Sequence, residues 1–100
     1  MVVYISGAMS GLPNANRDAF YEMEAHLTLL GYAVLNPAWI PDGLSYSQYI
    51  AIDIAMLSAA TFIIVLPGSK NSKGVAAEIA VAESLGIKSV SIEALEALAK

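Results

Sequence analysis

Residues 61–66, Thr-Phe-Ile-Ile-Val-Leu, form a short apolar run that ends at Pro67 and Gly68. A half-buried strand alternates apolar and polar side chains, whereas a strand covered by helices on both faces is apolar at nearly every position. The run is shorter than a typical buried helix and rich in β-branched residues, so it predicts the central strand of a parallel sheet. Parallel neighbours need crossover connections, which are usually helices.

Three other segments have strand-like composition between turn residues, at positions 2–6, 32–35 and 88–92. Helical patterns separate them. The first helical pattern has apolar residues at helical spacing and runs from a cap at Asn14 or Asn16 to a stop at Gly31.

Ser45 and Gln48 match a capping box that begins a second helix, which we expect to end near Ser58. A third helix is expected from near Ser72 to Leu85, and a short fourth helix follows the last strand.

This order of elements predicts an α/β fold, a flavodoxin-like three-layer sandwich with a four-stranded parallel sheet in the order 2-1-3-4. The length suits a single domain over residues 1–100. Ligands of such sheets bind beyond the carboxyl ends of the strands. We therefore expect a site among the loops at positions 6–16, 36–46 and 67–74.

Composition excludes several classes of function. With no Cys and one histidine, His26, the chain cannot build a disulfide framework or a conventional zinc site, and we expect no cofactor. A net charge of −4 argues against binding a nucleic-acid polymer. Residues 59–67 are the longest apolar stretch, too short for a membrane span, and no signal-peptide pattern is visible, which predicts a cytoplasmic protein without membrane contact. The apolar fraction of 57% indicates an oligomer interface.

The loop of residues 67–74 joins the expected central strand to a helix, whose first N–H groups would face an anion. Ser72 would add a hydroxyl, and Gly74 would permit close approach. No Gly-Lys-Ser/Thr closes the loop, so it is not a Walker loop. The alternative is an ordinary turn in which Ser72 only caps the helix.

Glu78 lies on an apolar face of the third expected helix. Its neighbours three and four positions away are small or apolar: Gly74, Val75, Val81 and Ala82. The first N–H groups of the helix lie roughly 6 to 9 Å from this carboxylate, which is about the span from a 5′-phosphate to the anomeric carbon of one sugar. The alternative is a carboxylate stabilised by the helix dipole.

Asp53 occupies a similar place on the second helix, among Tyr49, Ile50, Met56 and Leu57. A lone carboxylate that faces a core is unfavourable unless it is paired or used, although helix-start electrostatics offer an alternative. Two carboxylates are what cleavage of a glycosidic bond requires, one at the anomeric carbon and one for the proton of the leaving group.

The first strand ends with Tyr4 and Ser6, and Gly7 begins a turn whose backbone donors can wrap a ligand. A tyrosine in a first strand is more often a core residue, which is the alternative interpretation of Tyr4.

Four further polar or aromatic residues have open interpretations: Arg17, His26, Trp39 and Tyr46. Arg17 opens the first helix and meets either an anion or only solvent. His26 is interpreted as structural. Trp39 and Tyr46 either stack on a base or serve packing and oligomer contacts.

One set of positions forms a single pattern: Tyr4 to Asn14, Asn16, Arg17, Phe20, Gly31 to Ala38, Tyr49, Asp53, Leu66 to Gly68, and Ser72 to Glu78. This pattern covers nearly the whole chain and resembles the DUF4406 family. The resemblance implies a place among the nucleoside 2-deoxyribosyltransferase-like proteins, which include nucleoside 2-deoxyribosyltransferases and deoxynucleoside 5′-monophosphate N-glycosidases.

The resemblance also implies roles. Glu78 matches the nucleophile, Asp53 the acid near the leaving base, and Tyr4 the tyrosine beside the nucleophile. Ser72 and Gly74 match the phosphate-binding turn of the nucleotide glycosidases. Further substrate contacts are expected at Ser6, Gly7, Ser10, Arg17 and Asn36.

The chain departs from its glycosidase relatives at three positions. Ala8 and Ser10 stand where those relatives place a phosphate-binding Ser and an Arg, and Thr61 replaces an Asp. Sites of the family also take a residue from the C-terminal part of a second subunit, which implies a homodimer.

The predicted function is therefore cleavage of an N-glycosidic bond, or 2-deoxyribosyl transfer, on a nucleoside or nucleotide, with Glu78 as the nucleophile. The main alternative is a non-catalytic protein that binds a nucleotide-derived ligand, such as a phage or prophage sensor or sponge, because DUF4406 proteins are frequent in phages. A structural or interaction module is a third possibility, for which the apolar excess is the only supporting feature.

Overall fold

The structure is a computed structural model that describes all 100 residues. Its elements are β1 (Val2–Ser6), α1 (Arg17–Leu29), β2 (Ala33–Leu35), α2 (Tyr46–Ser58), β3 (Phe62–Val65), α3 (Lys73–Ser84), β4 (Lys88–Ser89) and α4 (Ile92–Leu98), with short 3-10 turns at Pro13–Asn16 and Pro37–Trp39. All strand pairs are parallel, and the order is β2-β1-β3-β4. The α/β fold and the strand order expected from the sequence are confirmed. None of the helices is long and apolar enough to cross a membrane.

Alternation along β1 sends successive side chains to opposite faces of the sheet. Val3 and Ile5 pack with residues of α1 and α4. Tyr4 packs on the other face with Leu57 of α2 and Ala82 of α3. The sheet is thus the middle of three layers, and the even-numbered residues of β1 face α2 and α3.

Serine hydroxyls begin three of the four helices. Ser45 and Gln48 form both bonds of the expected capping box at the start of α2. Ser72 caps α3 by accepting from the N–H of Val75, and Ser91 caps α4 in the same way. Each hydroxyl satisfies one backbone donor that the helix itself leaves without an acceptor.

The start of α1 differs from the prediction. Asn16 occupies the residue before the helix but is left-handed, with φ of 61°, and its side chain makes no capping bond. Its amide instead donates to the carbonyl oxygen of Ala8 at 3.0 Å. Asn14 is also left-handed, with φ of 49°, inside the preceding turn. The expected side-chain cap at Asn14 or Asn16 is therefore wrong, because the Asn16 amide holds the turn after β1 instead.

The fourth strand is shorter than the sequence indicates. Only Lys88 and Ser89 pair with β3, and the N–H of Val90 makes one further bond to the carbonyl of Ile63 at 3.0 Å. Ser91 then caps α4, so the expected extension of the strand to residue 92 is wrong. The Ser91 hydroxyl directs the chain into a helix where the apolar pattern alone indicated a strand.

Candidate functional site

Two hydroxyl groups at the end of β1 hold the carboxylate of Glu78. Tyr4 and Ser6 are two positions apart, so they project from the sheet face that α2 and α3 cover. The Tyr4 hydroxyl donates to Oε2 of Glu78, and the Ser6 hydroxyl donates to Oε1 at 3.1 Å. Both donors are 0% exposed. Each carboxylate oxygen has one protein donor and keeps lone-pair capacity for another partner.

Burial and neighbouring groups set the acidity of Glu78. The pKa of Glu78 rises from 4.5 to about 7, mainly because of burial. The hydrogen bonds from Tyr4 and Ser6 act against this rise, and the charge of Asp53 adds to it. The pKa of Tyr4 rises far above its ordinary 10.0 because of burial, the charge of Glu78 and their hydrogen bond. Tyr4 thus stays a proton donor, while Glu78 exchanges its proton near neutral pH.

Asp53 faces the same carboxylate from α2. Its charge acts on both Glu78 and Tyr4. Oδ1 of Asp53 is buried without a hydrogen-bond partner, and burial raises the pKa of Asp53 above its ordinary 3.8. Such an oxygen is unfavourable unless the carboxyl takes up a proton or a bound molecule supplies a donor. The structure therefore brings the two carboxylates singled out by sequence into one site.

An open cleft between α2 and α3 contains both carboxylates. Its volume is about 240 Å³, and it is lined by Tyr46, Ile50, Asp53, Ile54, Lys73, Gly74, Ala77, Glu78 and Val81. Apolar walls weaken dielectric screening and so strengthen electrostatic interactions at the carboxylates. A larger groove of about 500 Å³ lies beside β4, but it contains neither carboxylate. The smaller cleft is the candidate site because the groups able to do chemistry lie in it.

The start of α3 forms part of the wall. The Ser72 hydroxyl accepts a hydrogen bond from the N–H of Val75 at 3.3 Å, which caps the helix. Lys73 and Gly74 line the cleft, and N–H groups at these first helical positions have no intrahelical acceptor. A Cβ on Gly74 would meet nothing closer than the Ser72 hydroxyl at 3.8 Å, so packing does not require a glycine there.

Gly7 is explained by packing. A Cβ on Gly7 would lie 2.7 Å from Cδ1 of Leu66 and 3.0 Å from Cζ of Phe20. Glycine thus lets the chain leave β1 against the end of β3. Ser10 is exposed in the following turn and does not line the cleft.

Arg17 and Asn36 are engaged away from the cleft. Arg17 pairs with Asp42 at 2.8 Å. Asn36 is fully buried; its amide nitrogen donates to Glu24 at 2.8 Å, and its oxygen accepts from the N–H of Ala38 at 2.8 Å. Asn36 thus braces the loop after β2, and its contact with a substrate stays a prediction.

Of the remaining sequence candidates, only Tyr46 lines the cleft. The indole of Trp39 donates to Glu24 at 2.8 Å, which favours packing over stacking on a base. His26 lies 3.5 Å from Glu96 and links α1 to α4, in agreement with a structural role.

Three residues near the site escaped sequence reasoning: Lys73, Ile54 and Ser69. Lys73 and Ile54 line the cleft, and the spacing of four between Ile50 and Ile54 was an available signal. Ser69 is only 2% exposed, and its hydroxyl accepts from the N–H of Ala8 at 2.8 Å, which ties the turn after β1 to the turn after β3. In a loop rich in glycine, lysine and serine, nothing in the sequence marks this serine as buried.

Known proteins resemble the chain in sequence and in fold. The family described as a domain of unknown function, DUF4406, matches residues 1–91. Among solved structures, the CMP N-glycosidase BcmB of Clostridium botulinum has a TM-score of 0.67 and 19% sequence identity, covering 97% of this chain and 82% of that chain. This likeness shows a shared fold. No curated protein matches the chain significantly.

Proposed function

Because the chain belongs to the DUF4406 family and holds two carboxylates in one cleft, we propose that it breaks N-glycosidic bonds of nucleosides or nucleotides, by hydrolysis or by 2-deoxyribosyl transfer. The observation that carries this proposal is the Glu78 carboxylate, which two buried hydroxyls hold beside Asp53. Glycosidic cleavage needs such a pair, one group at the anomeric carbon and one for the leaving group. The proposal places the protein among the nucleoside 2-deoxyribosyltransferase-like proteins.

In the proposed reaction, an ionised oxygen of Glu78 forms a C–O bond to the anomeric carbon while the C–N bond to the base breaks. The electron pair of the broken bond leaves with the base, which takes a proton from Asp53. Water, or a second base in the transfer reaction, then displaces Glu78 and returns a proton to Asp53. Hydrolysis consumes one water and yields the base and the sugar, which keeps its 5′-phosphate when the substrate is a nucleotide.

This scheme needs Glu78 ionised and Asp53 protonated. Burial opposes ionisation of both, because it raises the pKa of each carboxyl. Because the two carboxyls interact, they titrate as a pair, and the proposed reaction needs the pair to hold one proton. Hydrogen bonding favours its residence on Asp53, because Glu78 has two donors and Oδ1 of Asp53 has none.

A 5′-phosphate on the substrate would lie at the start of α3. Lys73 supplies a cation, and the free N–H groups of Lys73 and Gly74 supply donors. The structural neighbour BcmB is described as acting on CMP, a nucleotide. These observations favour a nucleoside 5′-monophosphate over a nucleoside.

We place this chemistry in a homodimer formed through α2. That helix buries only Leu57 and leaves Ile52 and Ile54 38% and 43% exposed. Its cleft of about 240 Å³ is smaller than the roughly 300 to 1,000 Å³ of typical ligand pockets. A partner seated on α2 would cover the apolar residues and enlarge the walls of the site.

The alternative is a protein that binds a nucleotide-derived ligand without turning it over. Its supporting observation is the pKa of Glu78, which burial raises to about 7 and which leaves much of the nucleophile protonated at neutral pH. A neutral carboxyl donates a hydrogen bond and suits recognition better than attack.

The decisive experiment measures free base released from a panel of nucleosides and 5′-monophosphates, with and without an added second base. Wild type should release or exchange a base, and Glu78→Gln should lose turnover by orders of magnitude while it still binds the substrate. A matched control is Glu83→Gln, an exposed residue on the same helix. Tight binding by wild type without release or exchange would refute catalysis and leave the binding alternative.

A further inference from the structure

We propose that Ser6 is a positioning residue, which orients the Glu78 carboxylate and stabilises its ionised form for the reaction proposed above, and that it makes no contact with substrate. The sequence predicts a substrate contact for Ser6, which lies at the end of β1. In the structure it is 0% exposed, and its hydroxyl donates to Oε1 of Glu78 at 3.1 Å.

The backbone around Ser6 is held on the β3 side. Ser6 is paired in register with Val65, and its carbonyl accepts from the N–H of Leu66 at 2.8 Å. A buried hydroxyl is unfavourable without a partner, and Glu78 is the partner that it has. The side chain thus serves Glu78, and the strand that carries it cannot readily move away.

Two donors on different oxygens do what a single donor cannot. The terminal torsion of a glutamate is broad. With the Tyr4 hydrogen bond alone, the carboxylate could still rotate while Oε2 stays bonded to Tyr4. The second bond, from Ser6 to Oε1, fixes the plane of the carboxylate. An attacking oxygen gains from a fixed orientation because the productive geometry is already formed before the substrate binds.

Ser6 also opposes the groups that favour protonation of Glu78. Burial and the charge of Asp53 on α2 raise the pKa of Glu78, while the bonds from Tyr4 and Ser6 lower it. The third charged residue that lines this cleft is Lys73, at the start of α3. Loss of the Ser6 hydroxyl should therefore move the protonation midpoint of Glu78 to higher pH.

The test compares wild type, Ser6→Ala and Ser69→Ala by a carbon-13 NMR titration of the Glu78 side-chain carboxyl. Ser6→Ala should raise the midpoint by about one pH unit, because a hydrogen bond to a charged group is worth roughly that much. Ser69→Ala is the matched control: it removes an equally buried hydroxyl, bonded to Ala8 and not to Glu78, so the midpoint should stay in place.

Kinetics with a substrate that the wild-type protein turns over then distinguish a positioning role of Ser6 from a role in substrate binding. Ser6→Ala should lower kcat and shift its pH profile upward by the same amount, with KM within about twofold of wild type. Ser6→Cys keeps the shape with a weaker donor and should give intermediate values; it also carries the test if Ser6→Ala does not fold.

An unmoved midpoint in folded Ser6→Ala would overturn the proposal, and so would a KM raised well beyond twofold, because it would indicate a substrate contact of Ser6. Because the titration needs no turnover, an inactive wild type with a shifted Ser6→Ala midpoint would count against the proposed reaction while supporting the Ser6–Glu78 coupling.

Discussion

The hydroxyl of Tyr4 donates a hydrogen bond to Oε2 of Glu78, although the two residues are 74 positions apart in the chain. The topology creates this bond. Because β1 lies beside β3, the carboxyl end of β1 meets the helix that follows β3. A residue of the first strand and a residue of the third helix therefore act as one unit, and the properties of Glu78 depend on both.

Tyr4→Phe should weaken the site while keeping the ring in the core. Glu78 would retain only the bond from Ser6, so the midpoint of the pH profile should rise and turnover should fall about 10- to 100-fold. The free energy of unfolding should change by only about 1 kcal/mol, because one hydrogen bond is lost. Steady-state kinetics and urea unfolding measure the two effects. Unchanged turnover with unchanged pH dependence would show that the bond has no role in the reaction.

Glu78 should make the folded protein less stable as pH rises. Its pKa is 4.5 as an ordinary glutamate and about 7 in the folded protein, so the folded state binds more protons between these values. The resulting stabilisation is fully present below pH 4.5 and is lost as pH rises through 7, in total about 3 kcal/mol. Burial also raises the pKa of Asp53, which adds a contribution of the same sign.

Glu78→Gln removes this titration. Its Tm relative to that of wild type should increase between about pH 4.5 and about pH 7 and level off above about pH 8. Differential scanning calorimetry across this range makes the comparison, with Glu83→Gln as an exposed control on α3. Parallel curves for wild type and Glu78→Gln would contradict the raised pKa of Glu78.

Local patterns were sufficient to predict most of the fold. The apolar run at 61–66 identified the central strand, and the Ser45 capping box located the start of α2. The errors lie where side chains compete with the backbone pattern. Ser91 ended β4 early, and Asn16 bonded to Ala8 in place of its own helix. A periodicity argument includes no such side-chain bonds.

The sequence points to the site through residues that break the local pattern, whereas it predicts the fold through residues that follow it. Asp53 and Glu78 are carboxylates on apolar faces, and the structure places both in one cleft. What sequence could not show is which oxygen each residue contacts. The bonds from the Ser6 hydroxyl to Glu78 and from the N–H of Ala8 to the Ser69 hydroxyl depend on strand register across large separations.

A phosphate on the ligand should be recognised through Lys73. Nucleoside 5′-monophosphates should raise the Tm of wild type more than the matching nucleosides, and Lys73→Ala should remove most of that difference. Lys70→Ala is the matched control, because Lys70 lies in the turn just before α3 but does not line the cleft. Equal shifts for nucleosides and monophosphates would remove the phosphate from the proposed substrate.

The proposed dimer should depend on the exposed face of α2. Light scattering at micromolar concentration should report about twice the chain mass of 10.5 kDa. Ile52→Glu should give monomers, because a charge buried in an apolar interface is unfavourable. Leu29→Glu alters an even more exposed apolar residue on the opposite layer and should leave the mass unchanged. A monomeric wild type would exclude this assembly.

Asp53→Asn should separate stability from function. The substitution removes the negative charge of a carboxylate whose Oδ1 is buried without a hydrogen-bond partner, so the variant should be more stable than wild type at alkaline pH. It should also lose the proton that the leaving base receives in the proposed reaction. A control for general damage is Asp42→Asn, an exposed carboxylate outside the cleft.

The loss of activity in Asp53→Asn should depend on the base. A base that leaves readily as an anion needs little help, whereas a poor leaving base needs a proton in the transition state. A plot of log kcat against the acidity of the released base should therefore be steeper for Asp53→Asn than for wild type, with the two lines converging at the best leaving bases. Parallel lines would show that Asp53 positions the substrate or Glu78 and does not transfer the proton, because a positioning defect slows every substrate by a similar factor.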